Sequence, residues 1–258
     1  MTQRDEAWEA IFQHYNIYSH DFDDQPFEIT AKQIKAATHH FSSTGQREVR
    51  IICKQDTRNS RPTVFKERGL FILPVRNGKY VLVKGDGYVD IPTITTDIEP
   101  YVSALDFPLV TSGIGNSEMQ HLDFAYANSI IRNFMNDDSL VLTIRGRKYT
   151  PRFDFRVGNH SIFVESVQTE VDAGYEGRDQ VVLIEAKNSS ATDTIIRQLF
   201  YPFKQWKHHV SKSKADKDIS IIFFEKAGSE YRIWQFMFAD ENDYNSIQLV
   251  KSKRFKIM

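Results

Sequence analysis

Gly177-Arg178-Asp179-Gln180 followed by Val181-Val182-Leu183-Ile184-Glu185-Ala186-Lys187 is the stretch on which the fold turns. The first four residues are turn formers. The next four are apolar without a break, the signature of a strand covered on both faces. That strand then runs into a carboxylate and an ammonium, groups that are rarely buried unless they are paired or used. Upstream, Glu170-Val171-Asp172-Ala173-Gly174-Tyr175 closes the preceding strand. If the turn centres between Arg178 and Asp179, Asp172 stands opposite Glu185, and Glu170 opposite Lys187. Directly opposed residues have Cβ atoms about 4.5–5.5 Å apart. Glu185 and Lys187 share a face because strand side chains alternate. Two carboxylates so placed repel, and one pKa rises unless a cation sits between them. A hard divalent ion such as Mg²⁺, which binds through one or two carboxylates, is the natural occupant.

The flanking sequence extends the pattern. Asn116 or Ser117 caps a helix in which Leu122, Ala125, Tyr126, Ser129, Ile130 and Phe134 recur at helical spacing. Residues 140–144, 152–157 and 161–171 read as strands. After a loop at 188–190, Thr192 or Asp193 caps a second helix through about Val210, with Pro202 expected to kink or interrupt it. Residues 219–224 and 231–238 read as further strands.

Asp172, the hairpin, and Glu185-Ala186-Lys187, in the order helix, three strands, helix, strand, resemble the PD-(D/E)xK nuclease superfamily. The resemblance covers about residues 116–238. It implies an α/β fold, a mixed sheet flanked by helices. It implies that Asp172 and Glu185 hold Mg²⁺ with the Ala186 carbonyl as a further ligand, and that Lys187 orients or activates water and stabilises charge on the phosphate. It also points to Glu118 and Gln198 as supporting residues, acting through water or on the DNA backbone. The family's proline is absent, since Val171 precedes Asp172. Asp154 competes as the first acid, but it lies too far upstream to pair with Glu185 across one hairpin.

Composition sets the frame. The 258 residues suffice for one large or two modest domains, and the formal charge is −1, so any nucleic-acid binding must come from local patches. The single cysteine, Cys53, excludes an intramolecular disulfide and fits a reducing compartment. No apolar run approaches about 18 residues and the N-terminus is acidic, so a cytoplasmic protein without membrane attachment is expected. Residues 45–84 carry ten basic and three acidic side chains, whereas residues 85–142 carry nine acids against Arg132. That shift suggests a division into domains 1–104 and 105–258.

In the first part, residues 7–15 and the segment after Thr30 read as helices, residues 47–53 as a strand, and residues 71–83 as a hairpin turning at Asn77-Gly78. Helices followed by such a hairpin are similar to a winged helix. The loop carrying Arg58, Asn59 and Arg61 is then free to reach DNA bases, while Arg145, Arg147 and Lys148 form a phosphate-contacting strip. The whole chain resembles a type II restriction endonuclease acting on double-stranded DNA, an arrangement that admits a homodimer. A structure-selective repair nuclease of the same fold and a non-catalytic DNA-binding regulator are the alternatives.

Overall fold

A computed structural model describes residues 2–103, 105–188, 190–213 and 215–258. Ala104, at the expected domain division, and Ser189, in the loop expected after Lys187, lie outside them.

The chain opens with α1 (Gln3–His14), started by a reciprocal cap between Thr2 and Asp5. It continues through β1 (Phe27–Thr30) into α2 (Ala31–Thr38), where Thr30 and Gln33 cap each other as the sequence predicts. Two short helices follow, α3 (Thr44–Arg47) and α4 (Val49–Ile52), then α5 (Thr63–Glu67). The expected strand at 47–53 is therefore helical. Val49 and Ile52, three apart, share one helix face and are both buried, and this outweighs the apparent alternation. The hairpin β2 (Leu70–Arg76) and β3 (Lys79–Lys84) turns at Asn77-Gly78 as expected, with Gly78 at φ 71°. The three strands are antiparallel in the order β1-β3-β2.

The remaining elements are β4 (Tyr88–Asp90), β5 (Glu99–Tyr101), α6 (Glu118–Ala127), α7 (Ile130–Met135), β6 (Val141–Tyr149), β7 (Phe153–Val157), β8 (His160–Val164), β9 (Gln168–Glu176), β10 (Gln180–Lys187), β11 (Asp193–Ile195), α8 (Arg197–Lys212), β12 (Asp218–Ala227), β13 (Glu230–Phe238) and β14 (Ile247–Ile257). Seven of the strands form a mixed sheet in the order β5-β14-β13-β12-β10-β9-β6. Within it, β10 runs parallel to β12 and antiparallel to β9.

Helices cover both faces of this sheet. Val182, Ile184 and Ala186 pack with Leu122 and Phe134 of α6 and α7. Val181 and Leu183 pack with Leu199 and Phe203 of α8. The unbroken apolar run of β10 is thus buried on both sides, as its composition predicts. Each such side chain contributes about 1.5–3 kcal/mol.

Four local expectations are corrected. The first helix breaks at Ser129, which sits at φ 61°, so α6 and α7 are separate. Residues 153–164 leave the main sheet and pair with each other as β7 and β8. Their apolar side chains Phe155, Val157 and Val164 join Leu73 and Val75 of β2 in one core with α8. Of the two residues expected to cap the second helix, Asp193 instead opens β11, which pairs with β4, Thr192 precedes that strand, and α8 begins only at Arg197. Pro202 lies inside α8 without ending it. The strand β14, which holds the sheet edge to β5, was not anticipated from the sequence. Among the described residues no helix is long and apolar enough to cross a membrane.

Candidate metal-dependent active site

The hairpin β9–β10 has the register expected from its turn: Val181 faces Glu176, Val182 faces Tyr175, Leu183 faces Gly174 and Ile184 faces Ala173. The ladder ends there, one residue short of Asp172 and Glu185. On the other side of β9, Ile144 of β6 faces Gly174 and Gly146 faces Val171. Two residues of β9, Asp172 and Ala173, therefore stand against Arg145 alone. Such a bulge re-aims a side chain. Here the Asp172 carboxylate turns to the next strand and accepts the Ala186 N–H at 2.8 Å, while Arg145 donates to the Asp172 carbonyl at 3.1 Å.

Glu185 lies on the α8 face of β10 and is 8 % exposed. Its Oε1 accepts from Lys187 and, at 2.6 Å, from the Gln198 amide. The Gln198 oxygen in turn accepts from the Thr194 hydroxyl at 3.0 Å. Gln198, one residue into α8, thus anchors the glutamate. Burial, reinforced by the charge of Asp172, pushes the Glu185 carboxyl up to about 7 although Lys187 opposes the rise. Burial likewise raises the Asp172 pKa against the Ala186 N–H bond. For Lys187, burial works against the charge, but the Glu185 carboxylate beside it, with Glu118 and Asp172, leaves its pKa above the ordinary lysine value.

These groups line a cleft of about 650 Å³. Asp172, Glu185 and Lys187 line it together with Glu170 and Glu118. Lys54, Asp56, Thr57 and Asn59, from the segment after α4, line it as well. Glu118 opens α6, as expected, in the first turn behind the Ser117 cap.

The donor set suits a hard cation. Asp172 Oδ1 and Glu185 Oε2 have no hydrogen-bond partner among the described residues, and two raised carboxylates are relieved by positive charge. Among the described residues no group of three or more His, Cys, Asp or Glu side chains converges. A cation here would rest on Asp172, Glu185 and the Ala186 carbonyl, with substrate and water oxygens completing its shell, the habit of Mg²⁺. Asp154, the competing acid, sits exposed on β7, in the separate hairpin.

The loop at 57–62 is not the free arm its composition suggests. The Arg58 guanidinium pairs with Asp86 at 2.8 Å, meets Asp90, and donates to the Tyr88 carbonyl at 3.1 Å. The Arg58 N–H donates to Asp193 at 2.8 Å. The Arg61 guanidinium donates to the Leu70 carbonyl at 3.2 Å and lies over the Tyr88 ring. The acid-rich block after residue 85 folds back on the basic block and neutralises part of it. Asn59 remains exposed at the cleft. In the strip on β6, Arg145 pairs with Asp123 and Arg147 with Glu170, and Lys148 is exposed without an ion pair among the described residues. Sequence reasoning missed Arg197, which opens α8 at the cleft and makes no ion pair among the described residues. The only sequence signal was a lone arginine one residue before Gln198.

Residues 83–256 match the family model described as a domain of unknown function, DUF6997, and the chain belongs to that family. Residues 5–82 match a second model, also described as a domain of unknown function, DUF6996. The two matches meet inside β3. No curated protein and no solved structure matches the chain.

Proposed function

We propose that the chain is a Mg²⁺-dependent DNA endonuclease of the PD-(D/E)xK kind, cleaving double-stranded DNA in the manner of a type II restriction enzyme. The observation that carries this reading is the convergence of Asp172, Glu185 and Lys187 on one polar cleft at the end of a sheet covered by helices on both faces. The element order supports it. Once the β7–β8 hairpin and the short β11 are set aside, two helices, three antiparallel strands, a helix and a parallel strand follow one another along the chain, with the strands adjacent as β6-β9-β10-β12. In the first part, helix, strand, helices and hairpin with sheet order β1-β3-β2 support a winged-helix-like arrangement. Arg47 and Arg50 project from α3 and α4, exposed and without an ion pair among the described residues.

The chemistry follows from the residues. A bound divalent ion supplies Lewis acidity and lowers the pKa of water. Asp172 and Glu185 are the carboxylates that hold it. Gln198 and the Ala186 N–H keep those carboxylates in place, so that little reorganisation is needed during the reaction. Lys187 stays protonated beside Glu185, and its ammonium offsets the charge that develops on the phosphate as water attacks. Arg147, Lys148 and Arg197 contact flanking phosphates.

Incubation of the full-length protein with supercoiled plasmid and phage DNA is the test. Cutting is expected with Mg²⁺ or Mn²⁺ and none in excess chelator; discrete bands support sequence-specific cleavage, and a smear or branch-selective cutting supports a structure-selective nuclease. The absence of cutting with any divalent ion would sink the enzymatic reading.

A further inference from the structure

Beside the catalytic cleft a second cavity, of about 610 Å³, opens between α4, the β2–β3 hairpin and the start of α8. Arg50, Arg76, Arg147 and Arg197 line it, as does Tyr80. Arg50 and Arg197 make no ion pair among the described residues, while Arg76 and Arg147 meet Glu165 and Glu170 at exposed positions. Lys54 and Asp56 also line it, and Asp56 is the one acid of the lining. Lys54, Asp56, Gln168 and Arg197 border the catalytic cleft as well, so the two spaces adjoin.

Gln55 contributes to the same lining and is 2 % exposed, yet neither its Nε2 nor its Oε1 has a hydrogen-bond partner among the described residues. A buried amide with donor and acceptor both unmet is rare in a folded protein and calls for a partner from outside the chain. The Gln55 carbonyl accepts from the Tyr88 hydroxyl at 3.0 Å, which fixes the segment that carries the amide.

We propose that this cavity receives one unpaired nucleotide of the DNA strand held in the adjoining cleft, its base edge met by the Gln55 amide and its flanking phosphates by Arg50, Arg76, Arg147 and Arg197. The proposal rests on reading the cleft as a DNA-cleaving site. A glutamine amide presents a donor and an acceptor side by side, the complement of a base edge such as that of adenine. Guanidinium groups match phosphate oxygens in pairs. A base turned out of the duplex needs such a pocket, with polar groups for its edge and an aromatic neighbour. The shared border with the catalytic cleft favours a nucleotide within a strand over a free one.

The test is binding of the full-length protein, in chelator, to labelled single-stranded homopolymers of adenine, cytosine, guanine or thymine about twelve nucleotides long, a usual length for a single-strand site. The wild type is expected to favour one base at least fivefold. Gln55→Leu should flatten that preference to within twofold while leaving the melting temperature of the free protein unchanged or higher, because no partner within the chain is lost. Arg50→Ala, at an exposed position, and Arg197→Ala, at a half-buried one, should each weaken binding to all four strands severalfold and lower the salt slope by about 0.7.

A lowered melting temperature with base preference retained in Gln55→Leu would overturn the pocket, as would arginine variants that bind like the wild type. Free mononucleotides that compete at the affinity of the strand would replace the strand by a free nucleotide as occupant, which also overturns the proposal as stated. A protein that shows these variant effects but never cuts plasmid in Mg²⁺ refutes the nuclease reading and leaves the nucleotide pocket standing. A protein that cuts, with unaffected variants, refutes the pocket alone. Failure to bind any strand refutes the pocket and leaves the nuclease reading to the plasmid assay.

Discussion

In metal-free protein, Glu185→Gln should change how stability depends on pH in a direction opposite to that of most carboxylates. The Glu185 side chain is almost wholly enclosed between β10 and α8, and its carboxyl is raised from 4.5 to about 7 by burial and by the neighbouring Asp172. Between those two values the folded protein keeps a proton that the unfolded chain releases. Stability therefore falls as the pH rises from about 4.5 to about 7, and the loss is complete above that window. At about 1.4 kcal/mol for each tenfold change in proton affinity, the rise corresponds to about 3 kcal/mol. Lys187 stays protonated throughout, since its pKa lies above the ordinary lysine value. Glutamine keeps the shape and does not titrate, so the stability of wild type minus that of Glu185→Gln should fall by about 3 kcal/mol from pH 4 to pH 8. Urea unfolding at a series of pH values in chelator, followed by tryptophan fluorescence, measures this difference. A difference that stays flat, or that grows with pH, would refute the picture of a buried acid awaiting a cation. Addition of Ca²⁺ at pH 8 should then stabilise the wild type and not the variant, because a ligand stabilises only the state that binds it.

Asp172→Asn and Lys187→Ala are expected to abolish plasmid cutting with circular dichroism unchanged, whereas Asp154→Ala, on the outlying β7, should cut at the wild-type rate; a tenfold loss in Asp154→Ala would reverse the choice of first acid. Arg58→Ala removes the cation shared by Asp86, Asp90 and Asp193, and should cost about 1–2 kcal/mol in urea unfolding while DNA affinity changes less than twofold. Gly174→Ala places a Cβ 2.6 Å from that of Ile144 across the strand pair, so it should destabilise by about 1–3 kcal/mol and, by shifting β9, slow cutting as well; unfolding midpoints equal to wild type would show that the strands separate freely.

The strand β10, its turn and the register of its hairpin were legible because they depend on local rules: turn residues, alternation and an unbroken apolar run. Thr30 as a cap and Asn77-Gly78 as a turn were legible for the same reason, since each acts on residues within a few positions of itself. Residues 47–53 deceived because apolar side chains two apart and three apart coexist there, and only the core formed with α1 selects the helical set. Residues 153–164 alternate like any strand, and nothing local says that they pair with each other and cover β2 rather than join the main sheet. Glu185 and Lys187 could be placed on one face from sequence, but the bulge at Asp172 depends on β6, a strand more than twenty residues earlier, and it decides where that carboxylate points. The fate of Arg58 is the plainest case. Its neighbours in sequence made it look like a free basic arm, yet its charge is met by Asp86, Asp90 and Asp193, brought together by the pairing of β4 with β11. Charge complementarity between distant segments leaves no periodic trace in a chain, so only the tertiary structure could say which arginines are held and which, like Arg50 and Arg197, make no ion pair among the described residues.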